Sequence, residues 1–162
     1  MPLRQLDIGS GGTHEEGWES IDISDAYSPD HVHDLTDLPW PFEDNTFDNL
    51  RCSHILEHID RSWLVAVMNE MHRILKPGGM VNIQSPCAPH WKAYADPTHV
   101  SYLVPQTFLY FADDCMEMYR TLYGAKKWDL VQEQIDEHGV FHCRMSADGG
   151  VFDIDLYKPE AA

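Results

Sequence analysis

The chain has 162 residues, a length typical of one domain, so a single domain over residues 1–162 is expected. With 43% hydrophobic and 11% aromatic residues, it has enough apolar side chain for a folded core, which excludes wholesale disorder. Its 11 Lys and Arg residues against 27 Asp and Glu give a formal net charge of −16. Because this excess of carboxylates repels phosphate backbones and anionic lipid, we expect neither nucleic acid nor a membrane surface as a partner.

The cysteine pattern and the N-terminus indicate the compartment. Cys52, Cys87, Cys115 and Cys143 stand far apart with no Cys-x-x-Cys pair, so neither a zinc ribbon nor a thioredoxin-like site is indicated, and we expect reduced, buried thiols. The N-terminal residues contain no apolar stretch of signal-peptide length, and no later segment approaches the ~20 apolar residues of a membrane span. A cytoplasmic location is therefore expected.

The first half of the chain predicts four strands and one helix. Residues 3–8 form an apolar strand that ends in a glycine turn at 9–12, and 20–23, 31–34 and 47–53 are further strand candidates. The apolar positions between residues 60 and 75 follow the stripe of an amphipathic helix. Asp60 or Ser62 can cap its start, and the Lys-Pro-Gly-Gly segment at 76–79 ends it before a strand at 80–85. This order predicts an α/β sheet.

The second half begins with a predicted loop over residues 86–104, whose length is typical of a lid or a binding segment. A second helix is predicted to start at Pro105 and to stop at Gly124, with an apolar side that we assign to the core. Residues 128–136, 140–146 and 151–157 are predicted strands, the last two joined as an antiparallel hairpin across 148–150.

Three acids fall at the ends of predicted strands, where ligands bind in open α/β sheets. Asp7 lies beside the glycine turn, and Asp22 and Asp34 end the second and third strand candidates. A carboxylate at the end of the second strand can accept hydrogen bonds from both hydroxyls of a ribose. The dinucleotide fingerprint fails because His14 stands at its third glycine position, and no P-loop sequence is present. S-adenosylmethionine carries a cationic sulfonium and no phosphate, so it suits an acidic cleft.

The motifs then resemble a known family. The strings LDIGSGG, IDIS, HDLTDLPWPFEDNTFD, SHILEHI and LKPGGMVNIQSP occur in the order found in the class I S-adenosylmethionine-dependent methyltransferases, in particular the small type 11-like group. The resemblance covers residues 6–85 and continues more faintly through DPTHVSYLVPQTFLYF. It implies a Rossmann-like methyltransferase fold, with a mostly parallel sheet and a C-terminal antiparallel hairpin.

Two departures concern the first crossover. Gly9 and Asp22 are closer in sequence than the roughly 20 residues that a full first helix needs, and Thr13 replaces the third glycine of the family's turn. We therefore expect a first helix shortened to one or two turns and a more open cofactor pocket.

The resemblance also implies roles for individual residues in binding the cofactor. Asp22 would bind the ribose hydroxyls, Asp34 would meet the adenine amino group, and Leu35 would present its backbone and an apolar edge to the ring. In the glycine turn, Gly9 and Gly11 would approach the methionine part of S-adenosylmethionine, with Asp7 supporting the turn.

The chemistry at the transferred methyl is less defined. The resemblance places Ser53 and His54 near that methyl. If the acceptor is a hydroxyl or a protonated amine, a base is needed, and the candidates are His54, His58, Asp96 and His99. A packing, capping or loop role remains open for each of these side chains.

A zinc site is the competing interpretation of the same segment. Residues 54–58 match the His-x-x-Glu-His pattern of inverted zinc peptidases, which requires a helix that places both histidines on one face and a third ligand from elsewhere. The loop residues His90, Asp96 and His99 could also be ligands, but their irregular spacing favours loop structure. The prediction therefore contains no metal site.

The sequence leaves three hypotheses for the function of the protein. The leading hypothesis is methyl transfer from S-adenosylmethionine to a small-molecule or sugar-like acceptor. The alternative is a non-catalytic or vestigial methyltransferase-like binding module, which the shortened first helix favours, and a zinc hydrolase ranks third. A homodimer could cover apolar surface that the short helix exposes.

Overall fold

The computed structural model describes residues 2–148, in which seven strands form one sheet and four α-helices connect or flank them. The strands are β1 (Gln5–Ile8), β2 (Trp18–Asp22), β3 (His31–Val32), β4 (Phe47–Ser53), β5 (Leu75–Pro86), β6 (Trp128–Ile135) and β7 (Val140–Ala147). The helices are α1 (Leu64–Ile74), α2 (Lys92–Ala95), α3 (Pro105–Ala112) and α4 (Glu117–Tyr123). No helix in the described part of the chain is long and apolar enough to cross a bilayer.

The sheet order is β3-β2-β1-β4-β5-β7-β6. Strands β1 to β5 pair in parallel, whereas β7 runs antiparallel between β5 and β6. The predicted α/β fold class, mostly parallel with a C-terminal antiparallel hairpin, is confirmed. The observed hairpin joins β6 to β7 through residues 136–139. The predicted hairpin instead paired 140–146 with 151–157, and its second strand lies outside the described residues.

Helix α1 forms the crossover between β4 and β5. The Asp60 carboxylate accepts from the Ser62 N–H at 2.9 Å and caps a 3₁₀ turn, Arg61–Trp63, that leads directly into α1. This confirms Asp60 as the predicted cap. The helix ends at Ile74 because Leu75 is already extended and pairs with Phe47, so β5 begins earlier than the predicted residue 80.

The first crossover departs furthest from a doubly wound sheet. Residues 9–17, all of them described, contain turns and no helix, so the shortening is more extreme than the predicted one or two turns. In its place, Gly9 and Ser10 donate their N–H groups to the Ile21 carbonyl at 2.8 and 3.3 Å. The glycine turn is thus attached directly to β2.

The core lies between the sheet and helices α1 and α3. Its sheet side is formed by alternate residues of the central strands, such as Leu50, Val81 and Ile83, all 1% exposed or less. Phe108 of α3 stacks on Phe141 of β7 with ring centroids 5.0 Å apart. This burial of apolar area is the main stabilising contribution to the fold.

The residues that alternate with this core are polar and only half-buried. They include Arg51 of β4, Asn82 and Gln84 of β5, and His142 and Arg144 of β7, which line an open cavity of about 440 Å³. Parallel sheets are usually covered by helices on both faces and their strands are apolar throughout. Here the alternation is typical of a sheet with one face toward water.

The predicted helix from Pro105 to Gly124 is interrupted. Asp113 is extended, with ψ at 130°, and its carboxylate accepts from the Cys115 N–H at 2.8 Å, so it ends α3 and caps the 3₁₀ turn that leads into α4. Gly124 is the left-handed C-cap, as predicted. The assignment of the whole apolar side to the core is wrong: Phe108 and Phe111 are buried, but Leu122 of α4 is 69% exposed.

The predicted loop over residues 86–104 contains more structure than expected. It includes the single-turn helix α2 and a bridge that pairs Cys87 with Leu103. Its two ends are therefore held side by side at the end of β5.

The buried salt bridge of α1 generates a stability prediction. Glu70 accepts from the Trp40 N–H at 2.7 Å and from the Arg73 Nη2 at 2.5 Å, which joins α1 to the loop before β4. Glu70→Ala leaves the Arg73 guanidinium and the Trp40 N–H without this partner, so we expect chemical denaturation to show a loss of roughly 2–3 kcal/mol. The exposed Glu16→Ala is the matched control, expected within about 0.5 kcal/mol of wild type. Equal stability of the two variants would contradict this account.

Thiol reactivity is the second prediction. Cys52, Cys87 and Cys143 are buried, and burial raises the pKa of the Cys143 thiol to about 12 and that of Cys52 above its ordinary value. Cys115 is exposed. Because the thiolate is the reactive form, a thiol reagent added to native protein should modify one cysteine rapidly. Cys115→Ser should abolish this fast phase and Cys87→Ser should leave it unchanged; a fast phase that survives Cys115→Ser would refute the assignment.

Candidate active site

A cavity of about 390 Å³ opens at the carboxyl ends of β1 and β2. This volume lies within the range of roughly 300–1,000 Å³ that is common for small-molecule sites. Four of the predicted cofactor residues line it, Gly9, Asp22, Asp34 and Leu35, together with the predicted base candidate His58. Sequence reasoning missed its other lining residues: Ile23, Thr36, Ile55, Ile59, Asp60 and Trp63.

Asp22 holds the glycine turn in place. Its carboxylate is 8% exposed and accepts from the Gly11 N–H at 2.8 Å and from the Ser24 N–H at 2.9 Å. Gly11 itself does not line the cavity but supports the orientation of Asp22. Since each carboxylate oxygen has two acceptor sites, Asp22 retains capacity to bind hydroxyl groups in the cavity.

Gly9 has φ at +65°, and the side chain of Ile55 packs directly on it. A Cβ at this position would lie 2.1 Å from the Cδ1 of Ile55, so only glycine fits. Ile55 follows β4, and the contact therefore brings the end of β4 against the turn after β1. The sequence contains no signal for this pairing.

Asp34 and Leu35 form the far side of the cavity. The Asp34 carboxylate accepts from the N–H and the hydroxyl of Thr36, both at 2.8 Å, and these bonds, led by the Thr36 backbone N–H, hold its pKa below the ordinary value. Asp34 is therefore ionised at neutral pH. The Leu35 carbonyl accepts from Trp40 Nε1 at 3.0 Å, which leaves the apolar side chain and the N–H of Leu35 for a ligand.

A second hollow of about 360 Å³ adjoins Gly9 and contains two of the three remaining predicted cofactor residues, Asp7 and Ser53. Asp7 is 5% exposed and accepts from Arg51 Nε at 3.0 Å and from Arg51 Nη2 at 2.7 Å. These bonds, with a further ion pair to Glu15, raise the pKa of Arg51. The observed partner of Asp7 is thus Arg51, not the turn that it was predicted to support.

The four predicted base candidates converge on one residue that was not selected, Glu57. His54 Nδ1 lies 3.2 Å from Glu57 Oε1, and this hydrogen bond raises the pKa of His54. The rings of His58 and His99 meet edge to face, with centroids 4.8 Å apart. Asp96 joins them through Thr98, whose hydroxyl lies 2.6 Å from Asp96 Oδ1 and 3.1 Å from His58 Nδ1. We call Glu57, His58 and His99 the Glu57 cluster.

Hydrogen bonds hold the loop over residues 96–101 against this cluster. The Glu57 carbonyl accepts from the N–H groups of Val100 and Ser101 at 2.9 and 3.0 Å, and the Ser101 hydroxyl donates to the Ile59 carbonyl at 2.6 Å. These contacts bring His99 to His58 across a long sequence separation. The predicted binding loop does lie at the site.

The geometry of residues 54–58 differs from that of an inverted zinc peptidase. His54 has φ at +58°, and only Leu56–His58 form a 3₁₀ turn. His54 and His58 therefore do not share one face of an α-helix, which that motif requires. The zinc hydrolase hypothesis has no support in this arrangement.

Part of the chain is similar to known proteins in sequence. Residues 19–83 match the family model described as "Methyltransferase domain". A demethylmenaquinone methyltransferase from Listeria welshimeri is 28% identical over 104 residues, which cover 62% of this chain and 42% of the relative. The aligned region thus spans less than half the length of this curated relative.

Solved structures share the fold. A protein from Archaeoglobus fulgidus described as a SAM-dependent methyltransferase superposes with a TM-score of 0.64 at 19% identity, over 89% of this chain and 86% of that chain. The structure described as the DhpI-SAM-HEP complex gives a TM-score of 0.62 at 14% identity, over 88% and 77% of the two chains.

The sheet order, the antiparallel β7 and the cavity beyond β1 and β2 define a Rossmann-like methyltransferase fold. Over residues 19–83, the sequence is similar to the methyltransferase family that the matching family model describes.

The packing at Gly9 generates a prediction. Gly9→Ala should lower the free energy of unfolding by roughly 2–4 kcal/mol, because it adds overpacking against Ile55 to the cost of a positive φ. Gly11→Ala, also at a positive φ but with nothing within 4 Å of its Cβ, should cost only about 1 kcal/mol.

A double-mutant cycle tests the cause of this difference. Combining Gly9→Ala with Ile55→Ala should recover at least ~1 kcal/mol relative to the sum of the single losses, measured by denaturant unfolding. Strict additivity would show that Ile55 is not the reason Gly9 is required.

Proposed function

We propose that this protein transfers a methyl group from S-adenosylmethionine to a small-molecule or sugar-like acceptor. The observation that carries the proposal is the junction of the glycine turn with Asp22 at the 390 Å³ cavity. When bound, S-adenosylmethionine supplies an electrophilic methyl on its sulfonium, so the chain mainly has to bind and align the reactants.

The residues of the cavity fit an adenosine group. Asp22 is buried beside the cavity with acceptor sites left for ribose hydroxyls. Asp34 is an ionised acceptor for an adenine amino group, and Leu35 offers an N–H and an apolar edge. Ile23 and Trp63 are 68% and 43% exposed, and their apolar surfaces line the same cavity, where a ring would cover them.

The adjoining hollow fits the methionine part. Gly9 lines both spaces, so a ligand could pass over it from one to the other without meeting a Cβ. Arg51 offers a positive charge for a carboxylate, and Asp7 a negative charge for an ammonium group. The Arg51–Asp7 ion pair is thus proposed to bind the zwitterionic end of the cofactor.

The Glu57 cluster and its neighbours are proposed to act on the acceptor. His54 and His58 are exposed, and the Glu57 carboxylate raises the pKa of His54 toward the range in which a histidine serves as a base. A proton leaving an acceptor hydroxyl or ammonium could be taken by the lone pair of one of these imidazoles. His99 and Asp96 then act through hydrogen bonds and ring contact in positioning His58.

The class of acceptor is proposed from the net charge of the chain. The net charge of −16 disfavours a nucleic-acid acceptor, which leaves a small or sugar-like molecule as the proposed class. The name of the Listeria relative points toward a quinone-type acceptor, but the aligned region covers only 42% of that protein.

One observation favours a non-catalytic binding module as the second candidate. Residues 9–17 lack the helix that usually follows the glycine turn, so the hollow for the methionine part is open toward solvent. Such a module would bind S-adenosylmethionine or its demethylated product without turnover. A homodimer that covers this side remains a prediction.

Cofactor binding generates a prediction. S-adenosylmethionine at about 100 times its Kd should stabilise the protein by ~2.7 kcal/mol and raise Tm in a thermal-shift assay. Asp22→Asn keeps the size of the side chain but removes its charge and one acceptor oxygen, so it should weaken binding at least about tenfold. Asp25→Asn, on the exposed 3₁₀ turn beside it, is the matched control and should bind as wild type.

The outcomes separate the two candidates. No shift with S-adenosylmethionine or its demethylated product would refute cofactor binding altogether. A shift that Asp22→Asn leaves unchanged would refute the ribose assignment. If binding is present, transfer of a labelled methyl to hydroxyl-bearing acceptors identifies an enzyme, and its absence across such a panel favours the binding module.

A further inference from the structure

We propose that the Glu57 cluster binds a divalent transition-metal ion of the zinc type at the edge of the cofactor cavity. One ligand atom each from Glu57, His58 and His99 lies within 4.8 Å of the other two. The histidines come from two segments that meet only in the folded chain, the 3₁₀ turn after β4 and the loop before α3. The metal site does not rest on the proposed methyl transfer; with the ion bound, the lone pair of His58 is occupied and His54 is the remaining base candidate of that pair.

The hydrogen bond of His99 leaves it in a form that can bind a metal. Its Nδ1 lies 3.0 Å from the Ala93 carbonyl. A carbonyl oxygen only accepts, so Nδ1 carries the proton and the neutral ring has its lone pair on Nε2. Metal-binding histidines commonly donate their other ring N–H to a backbone carbonyl in this way.

His58 is fixed in the same tautomer by a longer chain of bonds. The Thr98 hydroxyl donates its only proton to Asp96 Oδ1, at 2.6 Å. Its oxygen must therefore accept from His58 Nδ1, 3.1 Å away, which leaves the lone pair of the neutral ring on Nε2. An imidazole oriented through a hydroxyl by a carboxylate is a typical second layer around a bound metal.

Glu57 adds a buried negative charge. The residue is 2% exposed, and its Oε2 accepts from the Ser85 hydroxyl at 3.1 Å. Among residues 2–148, the ion-pair partner of Glu57 is His54, which is charged only when protonated. A carboxylate taken out of water needs a compensating charge, and a divalent cation supplies it.

The donor set selects the class of ion. Two imidazole nitrogens and one carboxylate oxygen suit Zn²⁺, Co²⁺, Fe²⁺ or Mn²⁺ better than Ca²⁺ or Mg²⁺, which prefer oxygen ligands. Bonds of about 2.0–2.2 Å place donors no more than ~4.4 Å apart. In a tetrahedral site such donors lie about 3.4 Å apart, so the separation of up to 4.8 Å requires the side chains to close by roughly 1–1.5 Å around the ion.

The position of the site defines what the ion could do. His58 lines the 390 Å³ cavity, so the ion would lie at its edge. Three protein ligands leave at least one coordination position for water or for an oxygen of a bound molecule. A hydroxyl-bearing ligand is the chemical class that such a site would hold.

The test is direct metal binding to the full chain after removal of metal with a chelator. Equilibrium dialysis against Zn²⁺ with elemental analysis should give one bound ion per chain, and Co²⁺ should produce a visible absorption band that Zn²⁺ displaces. His58→Ala and His99→Ala should each weaken binding at least tenfold. Asp96→Asn removes a carboxylate that reaches His58 through Thr98 and lies 4.0 Å from His99 Nε2, so it should weaken binding about tenfold.

Two control variants give the experiment its specificity. His138→Ala removes a histidine whose side chain is 67% exposed and outside the cluster, and it should bind like wild type. His54→Ala should bind the ion with an affinity within a few-fold of that of wild type. An inverted-peptidase site would instead lose the ion in His54→Ala and keep it in His99→Ala. Circular dichroism checks folding, and His99→Gln replaces His99→Ala if the latter unfolds.

Failure to bind one Zn²⁺ or Co²⁺ per chain would overturn the inference, as would wild-type affinity in His99→Ala or in the folded His99→Gln. The thermal shift with S-adenosylmethionine is measured separately. A protein that binds S-adenosylmethionine but no metal would refute only the metal site, and one that binds metal but no S-adenosylmethionine would refute only the proposed function.

Discussion

The hydrogen bond from the Gly11 N–H to the Asp22 carboxylate is the interaction on which the site depends. In doubly wound folds, a helix follows the glycine turn and packs it on the sheet. Here that helix is missing, and Asp22, together with the Ile21 carbonyl, holds the turn by binding its N–H groups. The carboxylate assigned to the ribose thus also maintains the backbone that would approach the cofactor. Under the proposed function, one side chain therefore has both a structural and a ligand-binding role.

On the acceptor side, Glu57 has a comparable position. Its carboxylate contacts His54 and Ser85, and its carbonyl anchors the loop that carries His99. The electrostatic environment of the histidines and the placement of the loop therefore depend on the same residue. A change in its side-chain charge would affect the proton affinity of His54 and any bound cation together, whereas the loop depends on its backbone carbonyl.

Much of the fold could be predicted from the sequence because local patterns determine it. The strand at Phe47–Ser53 has the predicted bounds, and α1 follows the predicted stripe, with Asp60 as the cap of the 3₁₀ turn that leads into it. The break at Asp113 was missed because an aspartate within an apolar periodic segment can lie on the helix surface or cap a new turn. Only the backbone conformation distinguishes these two states.

The candidate site was predicted in part. An acidic residue at the end of a predicted strand can be placed at the ligand-binding edge of the sheet from the sequence alone. Asp22 and Asp34 do line the cavity. The pairing of Asp7 with Arg51 and the convergence of the histidines on Glu57 arise from contacts between distant segments. No spacing rule relates His58 to His99, so those contacts could not be inferred from the sequence. The interpretation of residues 54–58 as an inverted zinc peptidase motif depended on a helix that the strand exit does not form.

The polar face of the sheet has a consequence for redesign of this scaffold. Arg51, Asn82, Gln84 and Arg144 stand where a covering helix would need aliphatic partners. Lengthening the chain between β1 and β2 would thus supply a helix with nothing to bury. A helix inserted between β1 and β2 would pack on the sheet only if the polar side chains on three strands were replaced at the same time. The short crossover and the polar face of the sheet therefore depend on each other.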